Sequence, residues 1–453
     1  MAEHGAATLE RALAVALASV AALIAVTCSG RGALERAPVA PKTATVPPKP
    51  AGASGPSLEL TAAPGASVSA LGAGGALGSS TLPTDPTRLE LRHFFADLTA
   101  LEKTQRTGPV RIVWLGDSHT AADYLTGAVR SRLQSRFGAG GPGFVRVGVK
   151  PYRHSQVHWA CDGAWKLEPS APSRRTLFDD GVFGLGGLRA FPDSAPAQAS
   201  FELSPSAASG RLNWQIWVSV PEGASFRVTL AGVSQVVTRE TRASELPGAG
   251  FVSLPLESAV SDKLEILTLN GAPKFYGVLA EGTVPGLVLD AVGIDGARLS
   301  TMLAWNEGSF EAALRARAPS LVALAFGTNE AFDADKVEKY RAQYQSVWAR
   351  LRAGAPDADC LIVGPTDGNA VSGGSEPRIA EIDALQRSVA GELGCGYVSQ
   401  FELMGGAGGY TRWARETPQL ARGDRLHLTP KGYETIANKI ADRLLEAYTR
   451  APR

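Results

Sequence analysis

Residues 110–137 read VRIVWLGDSHTAADYLTGAVRSRLQSRF, and three textures follow one another within them. A short, mostly apolar run (110–115) meets a Gly-Asp-Ser-His turn at 116–119. Beyond the turn, Leu125, Val129, Leu133 and Phe137 recur every four positions along one helical face. This is strand, tight turn, helix. A Ser in such a turn, here Ser118, stands at the C-terminal edge of a sheet, and the following helix directs its positive end toward any oxyanion formed there. Gly-Asp-Ser by itself is a weak motif, explained equally well by a helix-capping Ser.

The texture repeats downstream. Residues 287–292 (LVLDAV), 321–326 (LVALAF), 360–363 (CLIV) and 397–399 read as buried strands, with helical segments between most of them. Val337, Tyr340, Tyr344, Val347 and Leu351 share one apolar face, and Ile379, Ile382, Leu385, Val389 and Leu393 share another. Strands alternating with helices predict a doubly wound α/β fold, flavodoxin-like, with about five parallel strands. Ligands of such sheets lie beyond the C-terminal strand ends. Those ends carry Ser118, then GIDGA at 293–297, then GTNE at 327–330.

A fourth element, GDRLHLTP at 423–430, precedes a last helix. Thr429 and Pro430 form an N-cap and first-turn pair, and Tyr433, Ile436, Ile440 and Leu444 supply the apolar face. Asp424 and His427 are three apart on a turn. That spacing lets the carboxylate reach the imidazole and fix its tautomer, leaving the other ring nitrogen free to take a proton from a Ser hydroxyl.

In kind, order and placement these four blocks resemble the SGNH (GDSL-type) hydrolases. The resemblance covers roughly residues 87–150 and 283–450. It implies a serine nucleophile at Ser118, a base at His427 oriented by Asp424, and an oxyanion hole made by Ser118 N–H, Gly296 and Asn329, with Gly293 as the alternative glycine. Two departures stand out: block one reads GDSH instead of GDSL, and block three ends in Glu330 where the family usually has Asp. More narrowly, LGDSHTAADYLTG, FGAGGPGFV, VGIDGA, FGTNEA and DRLHLTPKGY look like a bacterial envelope subgroup that includes peptidoglycan O-acetylesterases, in which a β-rich module interrupts the hydrolase domain. The implied activity is hydrolysis of O-acetyl or other short acyl esters on an envelope polysaccharide, without a cofactor. An O-acetyltransferase, a lipase or thioesterase, and a non-catalytic carbohydrate-binding protein are the alternatives.

Ser118 and Gly296 are 178 positions apart, far more than the roughly 30–40 residues that one βαβ unit needs. Between residues 149 and 282 the chain alternates apolar and polar positions in short runs, such as LNWQIWVSV at 212–220, which predicts an inserted β-sandwich or jelly roll between hydrolase segments 87–148 and 283–450. Trp159, Trp165, Trp214 and Trp217 fall in it. Exposed rings there would stack on sugars. Trp214 and Trp217, three apart, are expected on opposite sides of a strand, with at least one in the core.

The 16 uncharged residues 12–27 fit the apolar region of a signal peptide, expected within residues 1–29. A retained membrane anchor and lipidation at Cys28 stay open beside cleavage. Residues 30–86, rich in Pro, Ala, Gly and Ser and without aromatics, predict a disordered tether. The export segment and tether together place the protein in the periplasm or cell envelope.

Lys and Arg total 45 against 44 Asp and Glu, which gives no electrostatic footprint for nucleic acid. Four Cys are too few for a disulfide scaffold. Cys360 and Cys395 begin successive strands, and in a 2-1-3-4-5 sheet they would lie side by side and could bridge in an oxidising compartment. Cys161 reads as a buried free thiol. His154 and His158 have helical metal-ligand spacing, but Pro151 and the β texture argue against a helix there, so no metal site is expected. Asp295, Asp367 and Glu330 near strand ends read as substrate contacts or loop-capping carboxylates. Asp367, Trp305 and Trp413 are the candidate substrate contacts at the cleft, the two Trp with sheet cover as their other reading.

Overall fold

A computed structural model of the chain describes residues 89–149, 152–169, 171, 173, 180–256, 262–370 and 374–452. The export segment and tether expected at 1–86, with Cys28, lie outside the described residues. Among the described residues no helix is long and apolar enough to cross a membrane.

Five parallel strands form the central sheet: β1 (Val110–Gly116), β2 (Leu287–Gly293), β3 (Leu321–Ala325), β4 (Asp359–Gly364) and β5 (Gly396–Ser399). Their spatial order is 2-1-3-4-5, so β1 is flanked on both sides and reverses the winding. Alternate residues of β1 feed two cores. Ile112 and Trp114 face α1 (Arg92–Glu102), α3 (Tyr124–Phe137) and α9 (Pro430–Arg450). Val113 and Leu115 face α4 (Glu307–Arg317), α5 (Glu338–Gly354) and α6 (Pro377–Leu393). Three short helices complete the layer: α2 (Ser118–Ala121), α7 (Gln400–Leu403) and α8 (Gly409–Ala414). The expected apolar faces are the buried ones. Helix α1 carries a further face, Phe94, Phe95, Leu98 and Leu101, that the strand-by-strand reading passes over.

The β-module between β1 and β2 consists of two antiparallel sheets, one of seven strands and one of five. Their facing side chains, among them Val157, Phe201, Trp214, Phe226 and Phe275, make a third core. The seven-stranded sheet takes in Gly143–Val145, which pairs with Lys274–Gly282. Pairing of the module thus begins before residue 149.

A buried ion-pair cluster joins module and hydrolase. Arg317 is held by Asp290 on β2 and by Glu281 on the module strand, and Arg111 on β1 makes a bidentate pair with Glu281 at 2.8 Å. The Phe144 N–H also donates to Asp290. The paired arginines hold the Glu281 carboxyl down at about 2 against the opposing effect of its burial.

Cys360 on β4 and Cys395 before β5 are disulfide-bonded, with Cα atoms 4.6 Å apart. The strand register, Leu361 opposite Gly396, sets them side by side. Cys161, read as a buried free thiol, is instead half-buried on an edge strand and is not free; no free cysteine occurs among the described residues.

Candidate active site

The site is built on the C-terminal ends of β2, β1 and β3, three neighbours in the sheet. Gly116 ends β1, Asp117 caps α2 by accepting the His119 N–H at 2.9 Å, and Ser118 is the first residue of that helix. Its N–H is given to no acceptor among the described residues, as expected for a helix start.

Ser118 Oγ lies 2.9 Å from His427 Nε2, and His427 Nδ1 lies 3.1 Å from Asp424 Oδ2. The loop bearing Asp424 and His427 is fixed by its own carboxylate. Asp424 Oδ1 accepts the N–H groups of Leu426 (3.0 Å) and His427 (2.8 Å). Burial alone would raise the Asp424 carboxyl, but those N–H groups and the His427 ring hold it below its ordinary value. The Tyr410 hydroxyl sits 3.2 Å from Asp424 Oδ1, 2.8 Å from Arg422 O and 2.9 Å from His427 O, gathering the loop onto α8. Thr429 caps α9 by accepting the Gly432 N–H. The His427 side chain keeps 31% of its surface exposed, so the dyad opens to solvent.

Two glycines after β2 have separate roles. Gly293 pairs with Gly116, and a Cβ there would stand 2.2 Å from the Ala121 backbone nitrogen; its lack of a side chain lets α2 approach β2. Gly296 has φ +71, in the left-handed region, and its N–H is given to no acceptor among the described residues. Asn329 follows β3 and donates one amide N–H to Ala297 O at 2.9 Å, leaving the second for a ligand.

Buried acids stiffen these loops. Glu330 accepts the N–H groups of Leu299 (2.7 Å) and Gly327 (3.1 Å), so the longer side chain at this position ties block three to block two. Burial raises its carboxyl, and burial pushes Asp117 up to about 8, with Glu330 adding to the rise. His119, the departure in block one, is buried, and its Nδ1 lies 3.0 Å from the Tyr433 hydroxyl; burial lowers its ring to about 3, so it is neutral.

Three expected substrate contacts are buried instead. Trp305 packs edge-on against Phe310 under Gly187. Trp413 lies in the core with Tyr410, Leu428 and Tyr433. Asp367 is fully buried and accepts the Ser375 hydroxyl and the Tyr410 N–H, the loop-capping role. Asp295 is exposed. In the module Trp214 and Trp217 are both buried on opposite faces, Trp214 between the sheets and Trp217 against Phe144 and Phe251. His154 is buried and His158 lies exposed on a strand; no group of residues suited to a metal occurs among the described residues.

Sequence spacing gives no sign of Tyr410 or Arg130, and it places Tyr433 on the apolar face of α9 without its contact to His119. Arg130 sits beside the apolar face of α3 and is wholly buried on Asp123 and Leu289 O. The signal that finds it is a charge inside an otherwise core-facing helix.

The arrangement has the parts for acyl transfer: a hydroxyl bonded to an imidazole, a carboxylate behind it, and unsatisfied N–H donors on the adjoining strand ends. Residues 267–435 match the model of the GDSL-like lipase/acylhydrolase family. The chain is similar to a solved structure described as a peptidoglycan O-acetylesterase in action, at 26% identity and a TM-score of 0.65, covering 79% of this chain and 97% of that one. A lipase/acylhydrolase from Enterococcus faecalis is similar over 37% of this chain and 80% of its own, at 17% identity and a TM-score of 0.29. No curated protein matches the chain.

Proposed function

Taking as premise that the chain has the SGNH-hydrolase fold with an inserted β-module and resembles the peptidoglycan O-acetylesterases, we propose that it is an exported serine esterase that removes O-acetyl or other short acyl groups from a cell-envelope polysaccharide such as peptidoglycan. The observation that carries this reading is the Ser118–His427–Asp424 chain of contacts, open to solvent at His427.

In this reading Ser118 Oγ attacks the ester carbonyl while His427 Nε2 takes its proton. Asp424 holds the Nδ1–H tautomer and stabilises the imidazolium. The N–H groups of Ser118 and Gly296 and the free amide N–H of Asn329 donate to the oxyanion. Collapse expels the sugar oxygen, which leaves with the proton from His427, and an acyl-Ser118 remains. Water, deprotonated by His427, then attacks the acyl carbon; acetate departs and Ser118 recovers its proton. Export rests on residues 1–29 and the tether on residues 30–86, both read from sequence.

The test is acetate release from O-acetylated peptidoglycan and from 4-nitrophenyl acetate by wild type and Ser118→Ala. A loss of at least about a thousandfold is expected with folding unchanged. Equal release by the two proteins overturns the esterase. Acetyl appearing on an added sugar, in place of free acetate, assigns the same triad to transfer.

A further inference from the structure

We infer that Arg153 is a substrate-reading residue for the site just described, and that the ester it serves lies on a glycan bearing a carboxylate close to the acylated sugar. The inference rests on the esterase reading for its location and on separate observations for its chemistry.

Arg153 belongs to the β-module, yet its position is set by the hydrolase. The neighbouring Ser155 N–H donates to Asp123 Oδ2 at 2.7 Å, and Ser155 Oγ accepts from Arg130 at 2.9 Å. The bridge between His154 and Val157 closes the turn. Asp123 and Arg130 are themselves a buried ion pair, so this anchor is rigid. Held in this way, the exposed Arg153 lays its guanidinium 4.0 Å from the centroid of the Tyr124 ring and donates Nη1–H to Ala122 O at 3.2 Å. Ala122 caps the C-terminal end of the helix that Ser118 begins. Ala122 lies four positions on from Ser118, about 6 Å of helix rise, and the guanidinium stands one hydrogen bond beyond it, so a positive charge is held past the far end of the helix that the nucleophile begins.

Arg111, Arg130, Arg189, Arg298 and Arg317 each pair with a carboxylate. Among the described residues no carboxylate forms an ion pair with Arg153, and Ala122 O takes the one N–H that it donates. A guanidinium held over an aromatic ring loses little rotamer freedom on binding and presents a planar fork that fits a carboxylate.

A chain of ring contacts, buried at Tyr433 and His119, runs beneath the surface between this fork and the reacting groups. Tyr124 stacks on Tyr433 with ring centroids 6.1 Å apart and planes within 5°. The Tyr433 hydroxyl contacts His119, whose ring centroid lies 5.3 Å from that of His427. A glycan crossing the surface above these rings, from the open His427 to the exposed Arg153, places its ester at Ser118 and an acidic substituent at Arg153. Neutral acetylated polysaccharides offer the guanidinium no opposite charge. The acid comes either from a uronic ring or from an acidic substituent such as the lactyl or peptide carboxylates of peptidoglycan, and the two sources differ in how far the acid extends from the ring.

Turnover by wild type, Arg153→Gln and Arg153→Lys is compared on O-acetylated peptidoglycan fragments, an O-acetylated uronic-acid oligosaccharide, O-acetylated xylan oligosaccharide and 4-nitrophenyl acetate. For Arg153→Gln, KM is expected to rise about tenfold or more on a carboxylate-bearing glycan while both neutral esters change less than about twofold. Arg153→Lys should restore part of the loss, and raising salt should weaken the reaction with anionic glycans in wild type and Arg153→Lys more than in Arg153→Gln. Which anionic glycan responds identifies the source of the acid. Equal loss on neutral esters marks a structural role and overturns the inference, as does an unchanged KM on both anionic glycans. Direct binding of the same oligosaccharides to Ser118→Ala, with and without Arg153→Gln, gives the readout independently of turnover. A protein that binds anionic glycans through Arg153 but hydrolyses no ester refutes the esterase reading alone.

Discussion

At the C-terminal edge of the parallel sheet, polar groups are left unfinished: the N–H groups of Ser118 and Gly296 have no acceptor among the described residues, and His427 opens to solvent. In the β-module the conspicuous residues are tryptophans, and the two most central, Trp214 and Trp217, are each 1% exposed. A parallel strand ends where its backbone turns into a helix, so hydrogen-bonding groups there need outside partners. A sandwich strand is paired along its length, and a large ring on it is most stable between layers. The same sequence conspicuousness therefore signals chemistry in one region and packing in the other.

The largest test of that contrast is truncation of the rings. Trp214→Ala and Trp217→Ala should each lower the unfolding free energy by about 3–5 kcal/mol, read by denaturant titration. They should differ in reach. Trp214 lies in the sandwich core, whereas Trp217 shares a core with Val113 and Leu115 of β1. Only Trp217→Ala should also reduce ester turnover. A Trp214→Ala protein of wild-type stability that no longer binds glycan would reverse the assignment of this ring to packing.

A smaller effect belongs to the catalytic edge. Tyr410→Phe removes one hydroxyl from among three acceptors, one of them the Asp424 carboxylate, and keeps the buried ring. A single hydrogen bond to a charged group is worth about 1.5–3 kcal/mol. We expect kcat to fall about tenfold with KM held within twofold, because the His427 loop loses its anchor and the substrate loses no contact. A rise in KM with kcat unchanged would place Tyr410 in substrate binding.

The contrast also explains what was legible beforehand. The parallel sheet and the four helical faces follow from periodicity and chain order, while the meeting of Ser118, His427 and Asp424 is what the family resemblance implies; the 2-1-3-4-5 sheet gathers those loops at one edge whatever the insert does. For Trp305, Trp413 and Asp367 the sequence leaves cleft and scaffold readings open, because proximity to a strand end does not fix the direction of a side chain; Trp305 and Trp413 turn into the cores and Asp367 caps a loop. Arg153 and Tyr410 carry no spacing signal, because their neighbours Tyr124 and Asp424 become neighbours only through tertiary packing. Helix α1 was missed because it precedes the first recognisable strand, although its Phe94, Phe95, Leu98 and Leu101 face was readable.

The gentlest probe is pH, and it separates the two regions by sign. Burial raises Asp117 at the catalytic edge to about 8, above its unfolded value near 3.8. Between those values the folded state holds a proton that the unfolded state releases, so this group's contribution to stability is complete below pH 4 and declines as pH rises through 8. Glu330, also raised by burial, acts in the same direction. At the junction with the module, burial lowers His154 to about 3 from 6.5. There the unfolded state takes up the proton first, so stability is complete above pH 6.5 and declines as pH falls toward 3. Asp117→Asn should therefore flatten the slope on the alkaline side of the stability maximum, and His154→Gln the slope on its acid side. Each single-proton slope is at most about 1.4 kcal/mol per pH unit. Urea midpoints measured from pH 4 to 9 give both limbs. Loss of the acid limb in Asp117→Asn would mean that the buried acid at the catalytic edge and the buried histidine at the junction titrate as one unit, and the two regions would then have to be treated as a single electrostatic network.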